Sequence, residues 1–377
     1  MRSRDPHESH RISTPLELLF DLCFVVAISQ AAARLHHGIS ADHLGQAALG
    51  FVMVFFGIWW AWMNFTWFAS AYDTDDVPYR LKVLLQISGV LVFAAGIPRG
   101  FEQRDFSIMT LGYAIMRVAL IAHWLRAAHA DPPRRSTAHR YALGITLCEL
   151  GWIGLAFLPA SYTLPGWAVL VPLELAVPIW AERKVPTLWH SHHIAERYGL
   201  MTLIVLGESV LAATLAIQSV LDSGHFTLQI GALIVGGLTL LFSMWWMYFD
   251  DPAPAPTHSG SGSFLWGYGH YVLFMATAAV GAGFSACADV LTGHSQLSLW
   301  TAGMTVAVPA TIYILLVWTI HIRPAACGAW LTAAFLSSPV VLLLAAGSQY
   351  AVFYMGLAGA TLVGLSVLRR AQLTAEH

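Results

Sequence analysis

The chain has 377 residues, of which 57 % are hydrophobic and only 11 % charged, where an ordinary soluble domain carries about 25 % charged residues. So few charges cannot cover a soluble globule, and 19 Lys+Arg against 21 Asp+Glu give a net charge of -2, with no basic footprint for nucleic acid. A soluble enzyme, a disordered chain and a nucleic-acid binder are excluded; a mean hydropathy of +0.63 leaves a polytopic membrane protein.

At about 20 apolar residues per helical span plus a short loop, about twelve spans are expected. They are read at 15–33, 47–70, 81–98, 108–126, 140–158, 166–182, 199–217, 228–249, 267–288, 301–321, 328–345 and 350–368. Continuous apolar runs such as 203–206 and 340–344 exclude the alternating strands of a β-barrel. The expected fold class is therefore an all-α polytopic membrane protein. The first span is unusual, because Glu17 and Asp21 lie in its opening turns. Ala279/Gly283 and Ala360/Gly364 have the spacing that lets helices approach closely.

Counted on that span pattern, the N-terminal side collects fifteen of the 19 cationic residues. They run from Arg2, Arg4 and Arg11 through Arg126, Arg134 and Arg197 to Arg323 and Arg370. Arg34, Arg99 and Arg104 fall on the other side and Arg117 lies mid-span. The positive-inside rule then places both termini in the cytoplasm. Cys23, Cys148, Cys287 and Cys327 are scattered with no paired spacing, and read as buried thiols.

The chain also shows an internal similarity. The stretch opening Glu17-Leu-Leu-Phe-Asp21 can be laid on that opening Glu196-Arg-Tyr-Gly-Leu200, and Trp62-Met-Asn-Phe65 on Trp246-Met-Tyr-Phe249. Each aromatic stretch is followed by acids, Asp73/Asp75/Asp76 or Asp250/Asp251, and then by Tyr79 or Tyr268. The reading is two six-helix halves of the same orientation, 1–183 and 196–377, joined by a cytoplasmic connection at 184–195. The Pro-, Gly- and Ser-rich stretch 252–263 is a loop within the second half.

Charges inside a bilayer point to chemistry, since each uncompensated one costs about 2.5–3.5 kcal/mol at mid-depth. Arg117, Glu149, Glu174 and Glu208 fall near the middle of their spans. Arg117 and Glu149 lie at matching depth on consecutive antiparallel helices and are expected to form an ion pair. Glu174 and Glu208 have no cation left and are candidates to carry a proton. Glu208, within Leu206-Gly207-Glu208-Ser209, is the better one, because glycine bares the backbone beside it. Glu17 and Asp21 share a helix face and repel if both ionise. With Glu196 they complete the candidate proton or ion pathway.

Two segments offer weak metal sites. His192 and His193 lie within four residues of Glu196 and suit Zn²⁺ or a pH switch; a solvated helix start is the plain alternative. Asp73, Asp75 and Asp76 suit Mg²⁺; capping of the next helix is the plain alternative. His123, His270 and His321 read as imidazoles near helix ends.

Three ordered stretches resemble the bacterial low temperature requirement protein A family. They are Glu17 to Gln30, Trp62 to Arg80 and His193 to Glu208. The resemblance spans nearly the whole chain and implies a polytopic bacterial inner-membrane protein. It implies no particular activity and carries over no catalytic residue. A basic residue is frequent in the family before Tyr72, where this chain has Ala71.

The expected function is a secondary transporter or channel for protons or small ions. Its partners would be the lipid bilayer and a small ion or small-molecule substrate. No cofactor is expected, and no nucleotide-binding fingerprint is visible. The alternatives are a membrane enzyme that holds a lipid or isoprenoid diphosphate through Mg²⁺ at Asp73/Asp75/Asp76, and a structural or stress-response protein.

Overall fold

The computed structural model describes residues 4–5, 8, 11–223, 227–250, 262–322 and 328–375. Arg2, Asp251, Arg323, Cys327 and the connection 252–261 lie outside them. Among the described residues there are twelve α-helices and no strand. They are α1 (Pro15–Ser40), α2 (Leu44–Tyr72), α3 (Val77–Glu102), α4 (Ser107–Ala130), α5 (Arg135–Ala156), α6 (Thr163–Ala181), α7 (Ser191–Ser223), α8 (Leu228–Phe249), α9 (Gly262–Leu291), α10 (Leu299–Val317), α11 (Ala329–Ala345) and α12 (Ala351–Ala375). A short π-helical stretch, Trp318–Ile322, follows α10.

Ten of these regions are long and apolar enough to cross a membrane. The two that fall short differ in cause. Helix α5 carries Arg135, His139, Arg140 and Glu149, and α11 has only 17 residues, the lower limit for a span. Their outer faces are apolar all the same, with Leu147 on α5 and Leu344 on α11 exposed. Exposed leucines and valines recur along the other helices, as at Leu22, Val118 and Val235. Such faces need a hydrocarbon cover.

Several boundaries depart from the sequence reading. Helix α1 continues to Ser40 instead of ending at 33. Helix α7 begins at Ser191 instead of 199, so His192, His193, Glu196 and Arg197 are helical. Three starts have side-chain caps: Asp76 accepts from the Tyr79 amide, Thr227 from Ile230 and Ser298 from Thr301, which satisfies donors that an open helix end would strand.

The chain divides into two compact units. The first comprises residues up to Ala31 and Val54–Arg197. In it α3 packs on α4, α4 on α5 and α5 on α6. Glycine makes the first of these contacts possible, because a Cβ on Gly112 would stand 2.7 Å from the Gly89 carbonyl oxygen. The second unit comprises Ala32–Met53 and the residues from Tyr198 onward. There α9 packs on α10, α8 on α12, and α11 on both α10 and α12. The segment Ala32–Met53 is tied to α9: His36 Nε2 and Ser40 Oγ each lie 2.7 Å from Asp289 Oδ2, and Tyr271 donates to the Val52 carbonyl at 2.8 Å. Of the two small-residue spacings, that of α9 is used. A Cβ on Gly283 would come within 2.6 Å of the Thr305 carbonyl oxygen, while one on Gly364 would meet nothing within 4 Å.

Candidate functional site

The densest group of buried charges lies in the first unit, where the opening turns of α1 and α7 meet the end of α2. Arg197 is at its centre and fully buried. Its Nε and Nη2 donate to Asp21 at 2.8 and 2.5 Å, the planar two-point pairing that guanidinium favours. Its Nη1 lies 3.0 Å from Glu17 Oε1, and Nη2 also reaches Thr66 Oγ1 at 3.3 Å. Trp62 Nε1 completes the shell of Asp21 at 2.7 Å. Glu17 further accepts from the Thr14 amide at 2.8 Å, and His193 Nε2 lies 3.2 Å from it.

Helical periodicity explains the meeting. Glu17 and Asp21 are one turn apart on α1, and His193 and Arg197 are one turn apart on α7. Each helix thus presents a two-residue edge to the other. The sequence reading placed Arg197 among the solvated cations and His193 at a solvated helix start. Both are buried, because α7 starts before them. Glu17 and Asp21 both pair with Arg197. Glu196 points elsewhere and accepts from the Ser13 amide at 3.3 Å.

The segment before α1 straps across the end of α2. Arg11 donates to the Ser70 carbonyl, and to that of Ala69 at 2.7 Å. The Arg4 amide donates to the Ala71 carbonyl at 2.9 Å. These are last-turn carbonyls of α2, where that of Ala69 also accepts from the Asp73 amide, and cations suit that end of the helix dipole. Arg11 Nη2 also stands 3.7 Å from Glu17. Just beyond, Asp73 is buried and accepts from the Asp75 amide at 3.0 Å. Burial, helped by the charge of Glu17, pushes its carboxyl up to about 6.

The other loop acids face different partners. Asp75 takes a two-point hydrogen bond from exposed Arg80, with both contacts at 2.7 Å. Asp76 caps α3 and pairs with Arg126. The three carboxylates diverge, which does not suit the weak Mg²⁺ candidate, while Asp76 takes the alternative role of helix cap. His192 and His193 do not converge on Glu196 either. Among the described residues no three His, Cys, Asp or Glu side chains could hold a metal ion.

A second buried ionic group joins α4, α5, α6 and α2. The expected Arg117–Glu149 contact is not made; Arg117 Nη2 donates instead to Glu174 at 3.0 Å and to the Tyr113 hydroxyl. Trp60 and Trp152 donate to the same carboxylate at 2.8 and 3.1 Å. Glu174, read as an acid without a cation, therefore has three donors. Equal depth places two residues at one level but does not fix the direction each faces, and Glu174 faces Arg117.

In the second unit Glu208 is 7 % exposed. Beside it, Ser209 donates to the Thr277 carbonyl of α9 at 2.9 Å, and a Cβ on Gly207 would meet nothing within 4 Å. His270 and His321 are buried. Tyr248 lies over His321 with ring centroids 4.3 Å apart, and its hydroxyl is 3.1 Å from His270 Nε2.

The acids and arginine of the first group lie in the stretches that carried the family resemblance. The sequence profile of the bacterial low temperature requirement A protein (LtrA) family matches residues 12–367. The chain belongs to this LtrA family. A curated relative, described as uncharacterized protein RA0937 of Rhizobium meliloti (strain 1021), is 27 % identical over 306 residues, which cover 76 % of this chain and 73 % of that protein. The match begins at Ile12, so in this LtrA protein it takes in both acids of α1 and also Trp62, Arg117, Glu174, Arg197 and Glu208.

Arg197, Arg11 and the three tryptophan donors, Trp60, Trp62 and Trp152, were not among the site residues read from sequence. A signal for Arg197 existed. It lies four residues after His193, in the stretch where Glu196 had been laid on Glu17, and a start of α7 at Ser191 turns it inward.

Proposed function

We propose that this LtrA protein is a secondary transporter or channel for protons or small ions. Its setting is the bacterial inner membrane, with both termini cytoplasmic. The observation that carries the reading is Glu208, an acid buried within the 28-residue apolar span Ser191–Gln218. Evolving a charge into such a span has a cost that function repays. The backbone beside it is bare at Gly207, which leaves room for water or an ion to approach.

In this reading Glu208 is the main protonatable group. Asp21 and Glu174 are gating acids, each held by one arginine in the conformation described, and Glu17 and Glu196 flank the first gate. The two ionic groups are nearly dry, so opening either requires a new partner for its arginine. That makes each a two-state element of the kind alternating access uses.

Two halves of the same orientation, 1–183 and 196–377, would give the pathway its frame. A shared detail supports this. His123, about two turns before the end of α4, stacks near Phe68 at the end of α2 and Tyr79 at the start of α3, with centroids 5.0 Å apart in both cases. His321, just after α10, stacks near Tyr248 at the end of α8 and His270 in α9, at 4.3 and 5.9 Å. Toward its end the fourth helix of each half thus sets a buried imidazole against the second and third.

The test is proton uptake into liposomes containing purified protein, followed with a trapped pH dye, for the wild type and Glu208→Gln. The reading expects pH-dependent uptake in the wild type and its loss in the variant. Equal uptake by both removes Glu208 from the role.

A further inference from the structure

Glu149 is the most conspicuous group that the proposed function leaves unused. It is 5 % exposed, and neither of its carboxylate oxygens accepts a hydrogen bond. Close by, Arg117 spends Nη2 on both Glu174 and Tyr113, while its Nε and Nη1 donate to nothing. The two side chains interact electrostatically. A buried pair of idle donors and a buried pair of idle acceptors thus share one electrostatic neighbourhood. An ionised carboxylate in such a place is costly unless a cation turns to it. Arginine cannot shed its proton, so only its choice of acid can change.

We propose that Arg117 is a two-seat cation, seated on Glu174 in the conformation described and moving to Glu149 when Glu149 gives up a proton. Protonated Glu149 is neutral and leaves Arg117 with Glu174. On deprotonation the proton leaves to water, Glu149 becomes an anion, and Arg117 swings across α5 to meet it. The charged and titratable groups facing Glu149 are Arg117 and Tyr113 on α4, Glu174 on α6 and its own neighbour Cys148. Glu174 is the rival anion among them, and Trp60 and Trp152 hold its carboxylate in place while Arg117 is away. The inference rests on the transport reading for its purpose, since proton loss at Glu149 then moves the gate at Glu174.

The experiment is a double-mutant cycle on thermal unfolding of the purified protein in detergent, with Glu174→Gln, Glu149→Gln and both together. Glutamine keeps an acceptor for the tryptophans. With Glu174 neutralised Arg117 still has Glu149, so each single variant remains folded. The double variant leaves Arg117 without an acid and loses roughly 5 °C or more beyond the sum of the single losses. Failure of the double variant alone to fold is the same result in extreme form. Acidification lowers the midpoint of Glu174→Gln more than that of the wild type, because protonating Glu149 then removes the last acid. Additive losses, or a single variant as impaired as the double, overturn the second seat. The cycle is read on stability alone, so absence of flux in wild-type liposomes overturns the transport reading without touching it.

Discussion

Arg197 grips Asp21 by two adjacent nitrogens, at 2.8 and 2.5 Å, while its third nitrogen lies 3.0 Å from Glu17. One guanidinium from the start of α7 thereby neutralises both acids at the start of α1. The energetic consequence is asymmetric. Removing the cation strands Asp21 and leaves Glu17 only Arg11, at 3.7 Å, whereas neutralising Asp21 leaves Arg197 with Glu17.

Arg197→Met is therefore expected to cost about 3–5 kcal/mol, more than Asp21→Asn. Arg197→Lys keeps the charge but not the two-point geometry, and should fall between them. Denaturant or thermal unfolding of the purified variants in detergent checks the order. Asp21→Asn proving the worst of the three contradicts this arrangement.

Asp73 gives a pH prediction with a definite sign. Its folded carboxyl titrates near about 6 against an ordinary 3.8, so the folded chain binds more protons between those values. Stability from this group is present below about pH 4 and lost as pH rises through about 6, a total of about 3 kcal/mol. Asp73→Asn, which can still accept from the Asp75 amide, should be more stable than the wild type at neutral pH. It should also lack that fall in stability. Unfolding midpoints measured across this range would show the two curves converging in acid; curves that stay parallel contradict the assignment.

Close backbone approach between α3 and α4 depends on Gly112. A Cβ there would stand 2.7 Å from the Gly89 carbonyl oxygen and from the Phe93 Cα, and backbone cannot step aside cheaply. Gly112→Ala should cost about 1–3 kcal/mol, while Gly364→Ala, which meets nothing, should be silent or slightly stabilising. Comparable losses in both variants would contradict the packing described.

The sequence made the apolar spans, and hence the helical membrane architecture, legible because span length is a one-dimensional property. The acids of the site were legible for the same reason, since charge in an apolar run stands out. Partner choice was not. Depth along a helix follows from counting residues, but the direction a side chain faces depends on helix rotation. That is why Arg117 was matched with Glu149 and meets Glu174. Arg197 was missed through a boundary: with α7 starting at 199 it counts as a solvated cation, and with the start at Ser191 it is nearly two turns inside. The tryptophan donors escaped because indole N–H groups mark the membrane interface as often as they mark a buried acid.

The proposed function of this protein is movement of ions. The direct measurement is the electrical current across membranes reconstituted with purified wild-type protein under an imposed pH gradient. Ion movement through this protein predicts a current that reverses when the gradient is reversed and that Glu208→Gln abolishes. Current no greater than in protein-free membranes, under gradients of either direction, would contradict it.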